Sequence, residues 1–238
     1  AHGVRSGMSS TEARRLAPRA TFLAPDFDSY TAVSKSIVAV FRSVSAVVES
    51  ASIDEAYLDL TGAVRMFGGA AQIGEYVRAL VSDEQQITCS VGIGPTKFVA
   101  KVASRAAKPD GLIDVPPEGV VGFLHPLPVE AMWGVGNATA QKLHRLGVFT
   151  VGDLAHTPRS ALRPAFGPHA SGMLSELAWG RDRRWVTPLE PEHSVGSQQT
   201  FGHDTDDPDT IRRELLRIDS GRGRGTRIVA YTESMAFY

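Results

Sequence analysis

Two adjacent carboxylates, Asp54 and Glu55, stand inside an otherwise apolar segment, ASIDEAYLDLTG, over residues 51–62. A carboxylate in a low-dielectric interior is costly unless a cation or hydrogen-bond donors pair with it, so the segment calls for a positive partner. No His or Cys stands beside the pair. The hard cation that suits neighbouring carboxylates is Mg²⁺, which takes one or two of them and fills its shell with phosphate oxygens and water. A solvated strand-end pair bonded to Arg or Lys is the alternative. In a regular strand, neighbouring side chains point to opposite faces. The two carboxylates therefore serve one site only where the backbone bends, and the small Ala51 and Ser52 ahead of them suit a bulge or a hairpin apex.

Two further stretches carry charge chemistry. GIGPTKFVAKVASRAAKPDG, residues 92–111, bears Lys97, Lys101, Arg105 and Lys108. Four-residue spacing puts Lys97, Lys101 and Arg105 on one helical face, after a Gly-x-Gly turn whose helix N-terminus suits an anion; a solvated basic face is the alternative. LPVEAMWGVGNATAQKLHRLGVFTVGDLA, residues 127–155, reads as helix, tight Gly134-Val135-Gly136 turn and second helix, a helix-hairpin-helix pattern. Its glycines let the backbone approach a phosphate, and the amides and dipole of the second helix meet the charge, which positions a duplex without reading bases. Lys142 and Arg145 add phosphate contacts, whereas Leu143, Leu146, Val148 and Leu154 read as core. An αα-hairpin used only for packing is the competing reading.

The elements that must hold these groups follow from periodicity. Helical patterns cover 11–18, 28–44, 70–85 and 96–108, the second with Tyr30, Val33, Ile37, Val40, Phe41 and Val44 on one stripe. Extended patterns cover 47–61 and 87–94. This β-α-β-α order predicts an α/β or α+β layer, a sheet with covering helices. Residues 118–187 carry short helical patterns cut by Gly and Pro, a small all-α unit, and from His193 the chain turns polar and then Arg/Gly-rich, with RIVAYT as a candidate strand.

The 238 residues, 42% hydrophobic and 21% charged, suit a soluble globular chain of more than one domain. A net charge of −1 means that any anion site is local. No apolar run is long enough to span a membrane and the N-terminus lacks a signal-peptide pattern, so a cytoplasmic protein is expected. The single Cys89 rules out an internal disulfide framework or a thiolate zinc cluster and reads as a strand core residue.

SIDEAYLDLTG, SVGIGPTKFVAKVASRAAKPDGL and WGVGNATAQKLHRLGVFTVGDLA, in this order and spacing, closely resemble the Y-family DNA polymerases, specifically the bacterial DNA polymerase IV (DinB) group, over residues 1 to about 200. The resemblance implies an error-prone, template-directed polymerase that copies past damaged bases. It divides the chain into a remnant of the fingers (1–26), a palm (27–115), a helix-hairpin-helix thumb (116–187), and a linker with part of the little finger (188–238). It makes Asp54 and Glu55 catalytic ligands of two Mg²⁺ ions, with Glu55 nearest the primer 3′-hydroxyl, and sets Lys108 on the incoming triphosphate. Lys97, Lys101, Gly134, Val135, Gly136 and Lys142 fall on DNA.

The implied partners are primer–template DNA and a deoxynucleoside triphosphate, with a sliding clamp engaged beyond residue 238 and a monomeric protein. The family's first palm strand with its Asp, its steric gate and its Tyr and Arg triphosphate contacts have no counterpart here, so an incomplete, inactive fragment is expected. Two other classes compete. One is a non-catalytic DNA-backbone binder using the hairpin with Arg212, Arg213, Arg217, Arg222, Arg224 and Arg227. The other is a palm-type nucleotide cyclase, against which the hairpin argues, because a cyclase has no duplex to hold.

Overall fold

The computed structural model describes residues 2–5, 7–188, 201 and 205–219. Residues 1–188 form one unit and 189–238 a second. In the second, helix α10 (Pro208–Asp219) carries exposed Arg212 and Arg213, and Arg217 bonds Glu214 at 2.7 Å. RIVAYT and Arg222, Arg224 and Arg227 lie outside the described residues.

In the first unit, Ser9 caps α1 (Ser10–Leu16), and Asp26 starts α2 (Phe27–Val44) by accepting the Ser29 amide at 3.1 Å. A short polar side chain at this position satisfies an amide that the helix itself leaves unpaired. The apolar stripe of α2 divides along its length. Val40 and Val44 are buried with Ile37 and Phe41 packed against the same cluster, while Tyr30 and Val33 are exposed.

The segment 47–61 is not one strand. Strands β1 (Val48–Ser50) and β2 (Ala56–Leu58) pair antiparallel, with Glu49 opposite Tyr57. After the short α3 (Val64–Phe67), helix α4 (Ala70–Gln85) buries Ile73, Val77 and Val81 against α2, a four-residue period on one face. Strand β3 (Val91–Ile93) is shorter than the apolar run that announces it, because only these residues find a partner: β4 (Leu112–Asp114), parallel to it. Strand β4 has no alternation long enough to register in the sequence. Helix α5 (Lys97–Ala106) makes the crossover between them and begins at Thr96, whose hydroxyl accepts the Val99 amide at 3.3 Å. Gly92 permits their close approach, since a Cβ there would lie 2.1 Å from Ala100 O and Ser104 N. The pairs β1–β2 and β3–β4 are separate two-stranded sheets.

The other side of α5 forms a second core. Phe98, Val99, Val102 and Ala103 pack with residues from α6 (Val120–Leu124), α7 (Asn137–Arg145), α8 (Val151–His156) and α9 (Arg159–Ala178). Helix α9 bends at Gly167, where φ is 76°. Within 118–187 the elements are helical as expected up to the end of α9, the only bridge being Pro128 to Thr150, and residues 181–187 are irregular. Leu143, Val148 and Leu154 are buried, but Leu146 is exposed. The fold class is thus α+β, with an all-α unit after the sheets. Among the described residues, no helix is long and apolar enough to cross a membrane.

Candidate functional site

Asp54 and Glu55 occupy the apex of the β1–β2 hairpin. The Glu55 carbonyl accepts the amides of Ala51 at 2.9 Å and Ser52 at 3.2 Å, which closes the turn, and residues 52–54 bend outside any ladder. The alternation of a regular strand therefore does not apply to the pair. The Ser52 hydroxyl donates to Asp54 Oδ1 and accepts the Asp54 amide at 3.3 Å, fixing one carboxylate from below. Glu55 is met by the Lys101 ammonium, so the first cation that this segment finds is a lysine of α5.

Both carboxylates line a cleft of about 1270 Å³ between α2, the hairpin and the β3–β4 sheet, and Lys97, Lys101 and Lys108 line it too. The basic stripe of α5 is not a solvated face. Lys97 bonds Glu49 at 2.5 and 2.7 Å, Lys101 pairs with Glu55, and Arg105 turns away to the Glu130 carbonyl at 3.3 Å. Lys108 follows α5 in a turn held by Arg78 of α4, whose guanidinium donates to Asp110 O at 2.7 Å, Asp110 Oδ1 at 2.9 Å and Cys89 O at 3.2 Å. The bond to the Asp110 carboxylate, with the nearby Glu75 carboxylate, raises the affinity of Arg78 for its proton, and burial raises that of the Cys89 thiol.

A strap, residues 181–187, returns from the end of α9 to this cleft. Asp182 accepts from Arg184 N, Nε and Nη2 at 3.1, 2.9 and 2.7 Å, and Arg184 lies over the Trp133 ring, 4.6 Å from its centroid. The Thr187 amide donates to Glu49 at 2.8 Å. Burial pushes the Glu49 and Asp182 carboxyls up, but the bonds from Lys97 and Thr187 in one case, and from Arg184 in the other, outweigh it and hold both below their usual range. Burial raises Tyr57, which lies under Lys97. Sequence reading misses Glu49, Arg78, Asp182 and Arg184, because their partners are distant along the chain and no local pattern announces them.

Two carboxylates at a hairpin apex, with oxygen donors only, fit a hard divalent ion that takes the rest of its shell from phosphate and water. Among the described residues, no group of three or more His, Cys, Asp or Glu could hold a metal by itself.

The helix-hairpin-helix segment presents a second surface. Gly134, with φ at 89°, and Gly136, which precedes α7 without a side-chain cap, are exposed and have no neighbour within 4 Å of where a Cβ would sit. The first turn of α7 thus has no side-chain cap over its amides. Val135 between them is buried, anchoring the turn rather than presenting a side chain. Lys142 and Arg145 are exposed on α7, with Lys142 6.0 Å from the Phe166 ring, while His144 stacks on Phe149 and bonds Glu130 at 3.1 Å.

This arrangement has relatives. Residues 1–105 match the impB/mucB/samB family and residues 117–148 the helix-hairpin-helix motif of the same family. DNA polymerase IV of Alkalilimnicola ehrlichii is 44% identical over 207 residues, 87% of this chain and 58% of the relative. DNA polymerase IV of Pseudomonas paraeruginosa is 42% identical, over 87% of this chain and 59% of the relative. The chain therefore spans somewhat over half the length of these relatives.

Among solved structures, DinB from Sulfolobus solfataricus superposes with a TM-score of 0.73 at 30% identity, covering 77% of this chain and 54% of that one. An insertion ternary complex of Dbh DNA polymerase gives 0.71 at 28% identity, covering 91% and 63%. With the carboxylate hairpin, the lysine-bearing helix and the helix-hairpin-helix all inside the matched regions, the chain belongs to the Y-family DNA polymerases of the DinB type.

Proposed function

We propose that this chain serves template-directed DNA synthesis past damaged bases, transferring a nucleotide from a deoxynucleoside triphosphate to a primer 3′-hydroxyl. The observation that carries the reading is that Asp54, Glu55, Lys101 and Lys108 line one cleft. In the reaction, the primer 3′-hydroxyl gives its proton to solvent, its oxygen bonds to the α-phosphorus, the α–β phosphoanhydride bond breaks and pyrophosphate leaves. Two Mg²⁺ ions, when bound, neutralise the triphosphate and make the primer hydroxyl a better nucleophile.

The protein's own residues position charge. Asp54 and Glu55 supply ligand oxygens on the hairpin apex, and the proximity of Glu55 to the primer hydroxyl orients it for in-line attack. Lys108 meets the triphosphate, and Lys101 holds Glu55 in place and lends positive charge to the approaching DNA backbone. Gly134 and Gly136 admit phosphates to the N-terminus of α7, with Lys142 adding a charge, so the duplex is gripped through its backbone. The partners in this reading are primer–template DNA and the nucleotide, with the protein acting as a monomer in the cytoplasm and engaging a sliding clamp.

The test is a chimera in which this chain replaces the segment that it matches in the Alkalilimnicola polymerase. Extension of a labelled primer–template with Mg²⁺ and four deoxynucleotides is expected, with Glu55→Gln removing most activity while duplex binding persists. An active Glu55→Gln chimera would show that the central carboxylate is misassigned. An inactive but folded wild-type chimera would sink the polymerase reading.

A further inference from the structure

Lys97 begins α5 and stands by sequence spacing with Lys101 as a DNA contact, but its surroundings differ from those of an available cation. Its side chain is only 12% exposed. An ammonium has three donors, and acceptors exist for all of them: Glu49 Oε1 at 2.5 Å, Glu49 Oε2 at 2.7 Å and the Trp185 carbonyl at 3.4 Å. The Tyr57 ring lies beneath it, its centroid 4.7 Å from Nζ. Glu49 and Tyr57 face each other in the hairpin ladder, two rungs from the Ala51–Glu55 bond that closes the turn. Glu49 also accepts the Thr187 amide from the strap. Three pieces of chain therefore meet at one carboxylate: the base of the carboxylate hairpin, the start of α5, and the strap.

Reaching a phosphate would require Lys97 to abandon two short charge-assisted bonds and leave a half-buried Glu49 without its cation, held by the Thr187 amide alone, a large loss set against one exposed backbone contact. We propose that Lys97 is a positioning residue and not a duplex contact: through Glu49 it fixes the hairpin that presents Asp54 and Glu55. The inference rests on reading the 134–136 turn as the duplex grip and the hairpin as the metal-bearing element.

Two measurements on the 238-residue chain separate the outcomes. In the first, the affinity for an unspecific DNA duplex is followed against salt. Each phosphate contact adds about 0.9 to the log–log slope, so Lys142→Met should lower the slope by roughly that amount and Lys97→Met should leave it unchanged. A drop in slope with Lys97→Met overturns the proposal, and an unchanged slope with Lys142→Met overturns the duplex-grip reading instead.

In the second, backbone amide exchange is read at Ala51 and Ser52, whose N–H groups close the hairpin. Lys97→Met and Glu49→Gln are each expected to speed it by on the order of tenfold, the scale of one lost charge-assisted bond, with exchange over 138–145 unchanged. The double variant should be no worse than either single one, because both remove the same link. Unchanged hairpin exchange in both single variants, or additive effects in the double, rejects the positioning role.

Discussion

Asp54 and Glu55 differ in what holds them although they are neighbours. Asp54 leans on the Ser52 hydroxyl, and Glu55 on a lysine ammonium that α5 delivers to it. Both carboxylates are accessible, so a divalent ion can reach them. The Glu55–Lys101 pair is 43% and 21% exposed on its two side chains, and a pair in such a setting contributes about 1 kcal/mol or less. Glu55→Gln should therefore leave unfolding free energy within roughly that amount, as chemical denaturation would show, while divalent-ion binding in the presence of triphosphate falls sharply. With two carboxylates as the only protein ligands proposed, Mg²⁺ affinity should be weak without nucleotide and strengthen when a triphosphate adds its oxygens. Calorimetry that found tight Mg²⁺ binding without nucleotide, abolished by Asp54→Ala, would contradict this.

Two glycines with opposite surroundings separate folding from binding at the scale of the elements. Gly92 is where α5 lies against β3, and any Cβ there would meet backbone atoms of Ala100 and Ser104. Gly92→Val should cost about 3 kcal/mol or more, since the helix must move off the strand, and Lys97 and Lys101 would move with it. Gly136 has open space and an extended φ of −84°. Gly136→Val should change stability by about 0.5 kcal/mol or less yet weaken duplex binding, because in the proposed grip the branched side chain stands where a phosphate approaches. Denaturation and duplex titration of the two variants would test both, and a Gly136→Val chain with native DNA affinity would show that the duplex is held elsewhere.

Taken whole, residues 1–188 rest on acid groups that link distant segments. Glu49 joins the hairpin to α5 and the strap, and Asp182 holds Arg184 against Trp133. Their folded-state pKa values lie below the ordinary 4.5 and 3.8. A depressed carboxyl contributes stability that is fully present above its unfolded pKa and is lost as pH falls through the folded one. Thermal unfolding should therefore shift to lower temperature as pH falls below about 4.5, with little change from these groups between there and neutrality. Glu49→Gln should make that acid dependence shallower, and an unchanged profile would show that Glu49 is not part of it. Duplex binding by a molecule of net charge −1 should still fall steeply with salt and vary little with sequence, because the phosphate contacts proposed above are local to α7 and the adjoining glycines.

The sequence by itself determined the elements whose signals are local. The periodicity of 70–85 gives α4, the helical pattern and basic spacing of 96–108 give α5, and the double glycine at 134–136 gives the hairpin before α7. Asp54-Glu55 in an apolar stretch announces a site, and the small residues before it announce a bend. What only the tertiary structure decided are the pairings. Strands of three residues, such as β4, carry too little alternation to be read and exist because a neighbour completes their hydrogen bonds. The three basic side chains of α5 look equivalent at four-residue spacing, yet one meets Glu49, one Glu55 and one the Glu130 carbonyl ahead of the Gly134–Gly136 turn. Thr187 reaches Glu49 across 138 residues. A cation's role is set by the acceptors within about 3 Å of it, and chain folding chooses those acceptors without regard to their separation in sequence.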